Sequence, residues 1–231
     1  MPPSIILRIG LSALFKHKRP FRQDAVNLVK RLKPPLQVFG REHIPAENYI
    51  LTINHYSRQG FPAWWLALAV SSVVERDIHW MMTAEWTFNG KWVAAPLRWL
   101  SRRVFARLAE VYGFTTTPPI PVEEGSSGAR ANAVRQIMDA ARQTGLKPVI
   151  GLAPEGRDFP GGVLGCPPYG SGRFIYQLNK MGYTILPVGV YEEDGKLCLR
   201  FGSAYTLGHP HSYSSGEVHP AALRQVTQRQ I

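Results

Sequence analysis

The spacing of apolar residues changes along the chain from helical to strand-like. Between Ser4 and Lys16 the polar positions recur every four residues, so most of a helix here is apolar. A second, basic helix is predicted from Arg22 to Lys33, and Pro34-Pro35 ends it. Short apolar runs begin at Leu36, which indicates that a sheet domain starts there.

The runs that follow alternate between strand type and helix type. Because strands alternate with helices, the predicted fold class is α/β, with a mixed, largely parallel central sheet flanked by helices and an N-terminal basic amphipathic helical segment. Residues Gly113–Gly125, with three prolines, are predicted to be irregular. The predicted strands are Leu36–Gly40, Asn48–Ile53, Ile78–Thr83, Pro148–Leu152, Thr184–Val190 and Leu197–Phe201, and the predicted helices are Ala63–Val74, Lys91–Val111, Arg130–Thr144 and Arg173–Met181.

Charge divides the chain in the same way. The net charge is +11, and residues 1–41 contribute nine Lys or Arg against one acid, which is +8 of that total. We therefore predict a basic helical segment over 1–35, an α/β domain over 36–202 and a polar tail over 203–231. A cationic end on a near-neutral body favours docking to an anionic surface, either lipid headgroups or nucleic acid. Apart from that end, no zinc spacing or RNA-binding aromatic signature supports nucleic acid.

Two loops that directly follow predicted strands carry residues capable of chemistry. In parallel sheets, functional groups gather beyond the carboxyl ends of the strands. The first loop runs from Asn54 to Gly60 and contains His55, a side chain that can take a proton from a hydroxyl near neutral pH. The second runs from Ala153 to Asp158, and its charged residues with Gly156 suit a phosphate or a similar polar head. Taken alone, a histidine like His55 is more often a surface or hydrogen-bonded residue, and a loop like the second is more often a solvated turn.

Taken together, the motifs resemble the lysophosphatidic acid (glycerol-phosphate) acyltransferase family. The strand and turn Phe39-Gly40-Arg41-Glu42-His43-Ile44-Pro45 precede Asn54-His55, as in that family. Pro154-Glu155-Gly156 is similar to the start of the family's Pro-Glu-Gly-Thr-Arg block, and Ile185–Val190 is similar to its next strand. The resemblance covers roughly residues 36–202.

The resemblance implies transfer of an acyl group from acyl-CoA or acyl carrier protein to a hydroxyl of a lipid or glycerol-phosphate-like acceptor. It implies that His55 is the general base and that no metal or bound cofactor is needed. Residues of both loops are implied to bind substrate: Asn54, Ser57, Arg58, Glu155, Gly156 and Arg157.

The chain departs from the family at two places. Gly60 stands where the family has the aspartate that orients the histidine, so another carboxylate is needed, with Glu85, Asp158 and Asp77 as candidates in that order. Glu85 is placed first because it follows a predicted strand and is expected at the same sheet edge. No arginine stands in the segment that corresponds to the family's middle block, so a different lipid acceptor stays open. The alternative function is a lipid-binding protein that has lost catalysis.

A membrane surface is the predicted partner. No apolar run reaches the roughly 18 residues of a spanning helix, so the protein is expected to lie on a membrane rather than cross it. Two cysteines without a disulfide or metal spacing favour the cytoplasm, so the expected location is the inner face of the cell membrane. Arg98, Arg102, Arg103 and Arg107 recur near helical spacing and face either lipid phosphates or solvent. The tryptophans, with Trp64-Trp65 and Trp99 among them, indicate either an interface or core packing.

Overall fold

The computed structural model describes residues 17–55, 63–85, 94–119, 127–143, 145–157, 165–168 and 170–208. Within these ranges five α-helices, one short 3-10 helix (Arg41–His43) and seven strands are found. The helices are α1 (Phe21–Val29), α2 (Trp64–Val73), α3 (Ala94–Tyr112), α4 (Ser127–Arg142) and α5 (Ser171–Lys180). The strands are β1 (Gln37–Phe39), β2 (Tyr49–Ile53), β3 (Ile78–Thr83), β4 (Thr115–Thr117), β5 (Val149–Leu152), β6 (Thr184–Glu193) and β7 (Lys196–Phe201).

The strands form one sheet in the order β1-β7-β6-β2-β5-β3-β4. Strands β2 to β6 run parallel, β6 pairs antiparallel with β7, and β1 pairs parallel with β7. The carboxyl ends of β2, β5, β3 and β4 therefore lie along one edge, which we call the carboxyl edge. This arrangement confirms the predicted α/β class and the largely parallel sheet.

Apolar strands and helix faces build a core on both sides of the sheet. Every residue of β2 and of β5 is buried, as expected for central parallel strands covered on both faces. Helix α2 packs on one face through Leu66, Ala69 and Val70, and helices α4 and α5 pack on the other through Ile137 and Leu178. Helices thus cover each face of the sheet, and polar side chains are found mainly at the two ends of its strands.

Three predicted elements need correction. The basic helix predicted from about Arg22 to Lys33 ends at Val29, because the amides of Arg31 and Leu32 bond back three residues in tight turns instead of continuing the helix. Residues Gly113–Gly125 were expected to be irregular, but Thr115–Thr117 forms β4 beside β3, because three β-branched residues suit an extended edge strand. The strand predicted to end at Val190 continues to Glu193, because a tight turn at Asp194-Gly195, both with positive φ, brings β7 back along it.

A buried ion pair joins the first helix to the end of the third. The Arg19 guanidinium donates two hydrogen bonds to Asp24, at 3.0 and 2.7 Å, and the Tyr112 hydroxyl donates a third at 2.9 Å. Burial and the negative charge of Asp24 both raise the pKa of Tyr112. The Phe21 ring also meets the rings of Tyr112 and Phe114 edge-on. The carboxyl end of α3 is therefore held against α1.

None of the helices in the described ranges is both long enough and apolar enough to span a bilayer. The predicted helix Ser4–Lys16 lies outside those ranges, as does most of the predicted tail. The part of that tail that is described stays attached to the sheet, because Tyr205 forms a bridge with Ile185.

Candidate active site

His55 lies two residues beyond β2, on a segment that neighbouring strands hold in place. The side chain of Asn54 donates to the carbonyl of Val190 at 2.9 Å and accepts from the amide of Val190 at 2.7 Å. The Asn54 side chain thus replaces a main-chain strand pairing and fixes the residues after β2 to β6. The next residue, His55, is partly buried, and its Nδ1 atom is fully covered.

Glu155 approaches the same segment from β5. Its side chain is 3% exposed, and Oε2 accepts a hydrogen bond from the main-chain amide of His55 at 3.3 Å. The turn that carries Glu155 is closed by the amide of Gly156, which donates to the carbonyl of Ala153 at 3.1 Å, with Gly156 at φ +67°. Ser171 at the start of α5 donates to the carbonyl of Pro154. The two predicted loops therefore meet at the carboxyl edge.

Glu85 follows β3 at this edge, as predicted, and lies in a different environment. It is 2% exposed and forms ion pairs with Arg98, at 2.6 Å, and with Arg102. Burial opposes ionisation of Glu85, but the hydrogen bonds and charges of Arg102 and Arg98 outweigh it, so its pKa lies below the usual range. Its carboxylate is thus neutralised by α3.

The candidates for the acid that orients His55 separate in space. Two strand spacings, roughly 10 Å, divide the ends of β2 and β3, so Glu85 shares the edge with His55. Asp77 precedes β3 and is exposed at the opposite edge, so its candidacy is wrong. Asp158 falls outside the described residues, as do Ser57, Arg58 and Gly60, and their roles stay predictions.

Two further arginines lie at the carboxyl edge. Arg157 directly follows Gly156 and is exposed, in keeping with its predicted place in the second loop. Arg130, which the sequence did not single out, donates to the carbonyls of Pro118 and Pro119 just after β4. Its location depends on how α4 packs beside β4, and no local motif signals it. Within the described part of the chain, no group of three His, Cys, Asp or Glu residues could hold a metal, and independence of a metal stays a prediction.

A solved structure shares this architecture. The crystal structure of the 1-acyl-sn-glycerophosphate (LPA) acyltransferase PlsC from Thermotoga maritima aligns with a TM-score of 0.52 over 90% of this chain and 75% of that chain. The two sequences are 18% identical over the alignment, so the similarity concerns the fold. The class of protein is therefore a mixed α/β protein with a PlsC-like fold. No curated protein matches the sequence.

A family model gives the narrower assignment. The model described as Acyltransferase matches residues 35–191, which is more than half of the 231 residues and includes both loops. The chain belongs to the acyltransferase family, and it is an acyltransferase. The resemblance inferred from the motifs is thus confirmed.

Proposed function

We propose that the protein transfers an acyl group from a thioester to a hydroxyl of a glycerolipid or glycerol-phosphate-like acceptor, with His55 as the general base. The observation that carries this proposal is the position of His55 at the carboxyl edge, where Asn54 and Glu155 fix its main chain from two neighbouring strands. A base held on rigid strands keeps its geometry through the reaction.

The chemistry needs one proton transfer and one displacement. The imidazole of His55 removes the proton of the acceptor hydroxyl, and the oxygen attacks the carbonyl carbon of the thioester. The carbon–sulfur bond then breaks, and the leaving thiolate takes the proton back from the imidazolium. An ester and a free thiol result, and His55 is regenerated. Acyl-CoA and acyl carrier protein are both suitable donors. Both proton transfers in this sequence of steps use His55.

We assign the orienting role to Glu155 in preference to Glu85. The Glu155 carboxylate already contacts the backbone of His55, whereas the Glu85 carboxylate binds two arginines. Through that contact Glu155 acts as a positioning residue. Asp158 is the remaining predicted candidate for the orienting acid. Asp158→Asn is therefore to be compared with Glu155→Gln and Glu85→Gln for the rate of thiol release from an acyl thioester.

Acceptor binding is proposed for the second loop. Arg157 supplies a forked donor and Gly156 leaves room for a phosphate close to the backbone. Arg157→Ala should raise the KM for the acceptor more than the KM for the donor. Arg142→Ala is the matched control, since Arg142 is exposed and pairs with Asp139 on α4. Equal changes in both KM values would contradict the assignment.

Peripheral association with an anionic membrane is also proposed, on the inner face of the cell membrane. Its support is the +8 charge of residues 1–41 and the apolar helix predicted at Ser4–Lys16. Deletion of residues 1–16 spares the Arg19–Asp24 pair and should lower binding to anionic vesicles severalfold. Unchanged binding would contradict this assignment.

Release of free thiol tests the function directly. Purified protein, given an acyl thioester and a 1-acyl-glycerol phosphate, should release thiol and form the diacyl product in equal amounts. Lipid binding without thiol release would favour the alternative, a lipid-binding protein that has lost catalysis.

A further inference from the structure

The amino-terminal half of α3 presents a row of large apolar side chains to solvent. Leu97, Leu100 and Val104 are spaced by three and four residues and so share one face of the helix, with 46%, 51% and 44% of their surface exposed. Trp99 is 55% exposed on the adjoining face. Four large apolar side chains within eight residues form a patch that a solvated helix does not need.

Arginines border this patch. Arg103 lies over the ring of Trp99 at 4.0 Å, and Arg107 follows one turn later. The whole helix has four arginines and one glutamate. Apolar side chains beside an aromatic ring and cations are the composition of a helix that lies in the headgroup region of a membrane.

The rotation of α3 is fixed by its inner face. Arg98 and Arg102 point to the buried Glu85, and Ser101 and Phe105 are buried. The four-arginine series that the sequence treats as one set is therefore two pairs. Arg98 and Arg102 bind Glu85, whereas Arg103 and Arg107 lie on the solvent side with Leu100.

The patch also lies at the end of the molecule that carries the candidate active site. Helix α3 connects the carboxyl end of β3 to the amino end of β4, and these strands are parallel. Its first turns are anchored at the carboxyl edge through Glu85, and its last turn is anchored through Tyr112 to Asp24. Leu97 and Leu100, in the first turns of α3, therefore lie near the carboxyl edge, where His55 also lies.

We propose that the face of α3 formed by Leu97, Trp99, Leu100, Arg103 and Val104 docks on an anionic lipid bilayer. The proposal deepens the peripheral membrane association proposed above, and it adds a contact surface within the folded domain. The leucines and Val104 insert among acyl chains, Trp99 lies at the headgroup level, and Arg103 pairs with lipid phosphates. Charge complementarity favours a bilayer, because a second copy would bring a like-charged helix against this face.

Vesicle binding by matched leucine variants is the first test. The double variant Leu97→Asp/Leu100→Asp should weaken partition into vesicles of equal parts phosphatidylglycerol and phosphatidylcholine by at least about tenfold. Leu146→Asp is the control, because Leu146 is 80% exposed but precedes β5, at the opposite edge. It should bind like the parent protein.

Arginine variants separate charge from insertion. Arg103→Gln should weaken binding about fivefold at low salt and reduce the dependence on salt, whereas Arg142→Gln should change neither. The tryptophan emission of the protein should shift to shorter wavelength when vesicles are added, and this shift should be smaller in the Trp99→Phe variant. All variants are made in His55→Ala protein, so the binding result does not depend on whether acyl transfer occurs.

Three results would overturn the proposal. Equal vesicle binding by the Leu97/Leu100 double variant and Leu146→Asp would show that α3 does not contact lipid. A change from dimer to monomer in the double variant, with vesicle binding unchanged, would assign the face to a second copy. A loss of binding that occurs only when residues 1–16 are deleted would assign the whole membrane contact to that segment.

Discussion

Glu155 and Glu85 follow neighbouring strands of the sheet, at the same edge, and both are almost completely buried. Their partners differ. Glu85 is held by two guanidinium groups from α3, whereas Glu155 accepts a hydrogen bond from the main-chain amide of His55. A buried carboxylate paired with two cations connects two elements of the fold, whereas one placed against the candidate base is a candidate for positioning that base. The comparison teaches that burial and edge location alone do not reveal a carboxylate's role.

Exchange of the Glu155 carboxylate for an amide should have the largest effect. We expect Glu155→Gln to lower kcat about 10²-fold with little change in the KM for the donor, because a small displacement of the base is enough for such a loss. Glu155→Asp should recover part of the activity. A loss confined to the KM for the acceptor would instead place Glu155 in substrate binding, as the sequence predicts.

The same exchange at Glu85 should act on stability. Glu85→Gln should lower the free energy of unfolding by about 2 kcal/mol, because two charged hydrogen bonds are lost from a buried site. Turnover per folded molecule should stay within about threefold of wild type, because the two strand spacings between the ends of β2 and β3 keep Glu85 away from His55. Denaturant unfolding and active-fraction titration measure the two quantities. A 10²-fold loss of kcat in stable protein would restore Glu85 as the orienting acid.

The pH dependence of stability distinguishes the pair further. The pKa of Glu85 is lowered in the folded state, so its stabilisation is present above the unfolded value of about 4.3 and is lost as the pH falls through the folded value. Between about pH 5 and about pH 3, wild type should therefore lose more stability than Glu85→Gln. Glu110→Gln is the control, since Glu110 is an exposed partner of Arg107. Parallel curves for wild type and Glu85→Gln would contradict the ion-pair account.

The two arginines should show the smallest effects, and they should be unequal. The Arg98 side chain is 33% exposed and that of Arg102 is 60% exposed. We expect Arg98→Gln to cost about 1 kcal/mol of unfolding free energy and Arg102→Gln less, because solvent screens the more exposed ion. The reverse order in thermal or urea unfolding would show that Arg102 carries the connection.

Much of the fold could be predicted because central strands are continuous apolar runs. Ile78–Thr83 was predicted with its observed bounds, and β5 differs from its prediction by one residue. The strand β4 was missed because its three threonines run directly into prolines, and only pairing with β3 makes them a strand. The length of β6 depends on its hairpin with β7, which periodicity does not show.

The candidate site was predictable in position and less so in its contacts. Strand ends identify the edge, so the location of His55, Glu155 and Glu85 on it follows from the sequence. Which carboxylate meets which group does not follow, because the partners of Glu85 are 13 and 17 residues away along the chain and depend on the rotation of α3. The sequence placed Glu85 at the edge that carries His55, which is correct, and ranked it above Asp77, which lies at the opposite edge. It did not predict the contact between Glu155 and His55.

Thioester consumption by His55→Ala tests the central claim most directly. Wild type and His55→Ala are compared for thiol release from an acyl thioester in the presence of a lysophospholipid acceptor, with circular dichroism as the check on folding. His43→Ala is the matched control, since His43 follows β1 at the opposite edge and contacts the carbonyl of Phe201. The account predicts a loss of about 10²–10⁴-fold for His55→Ala in folded protein and little change for His43→Ala. Equal rates for wild type and His55→Ala would contradict the role of His55 as the base.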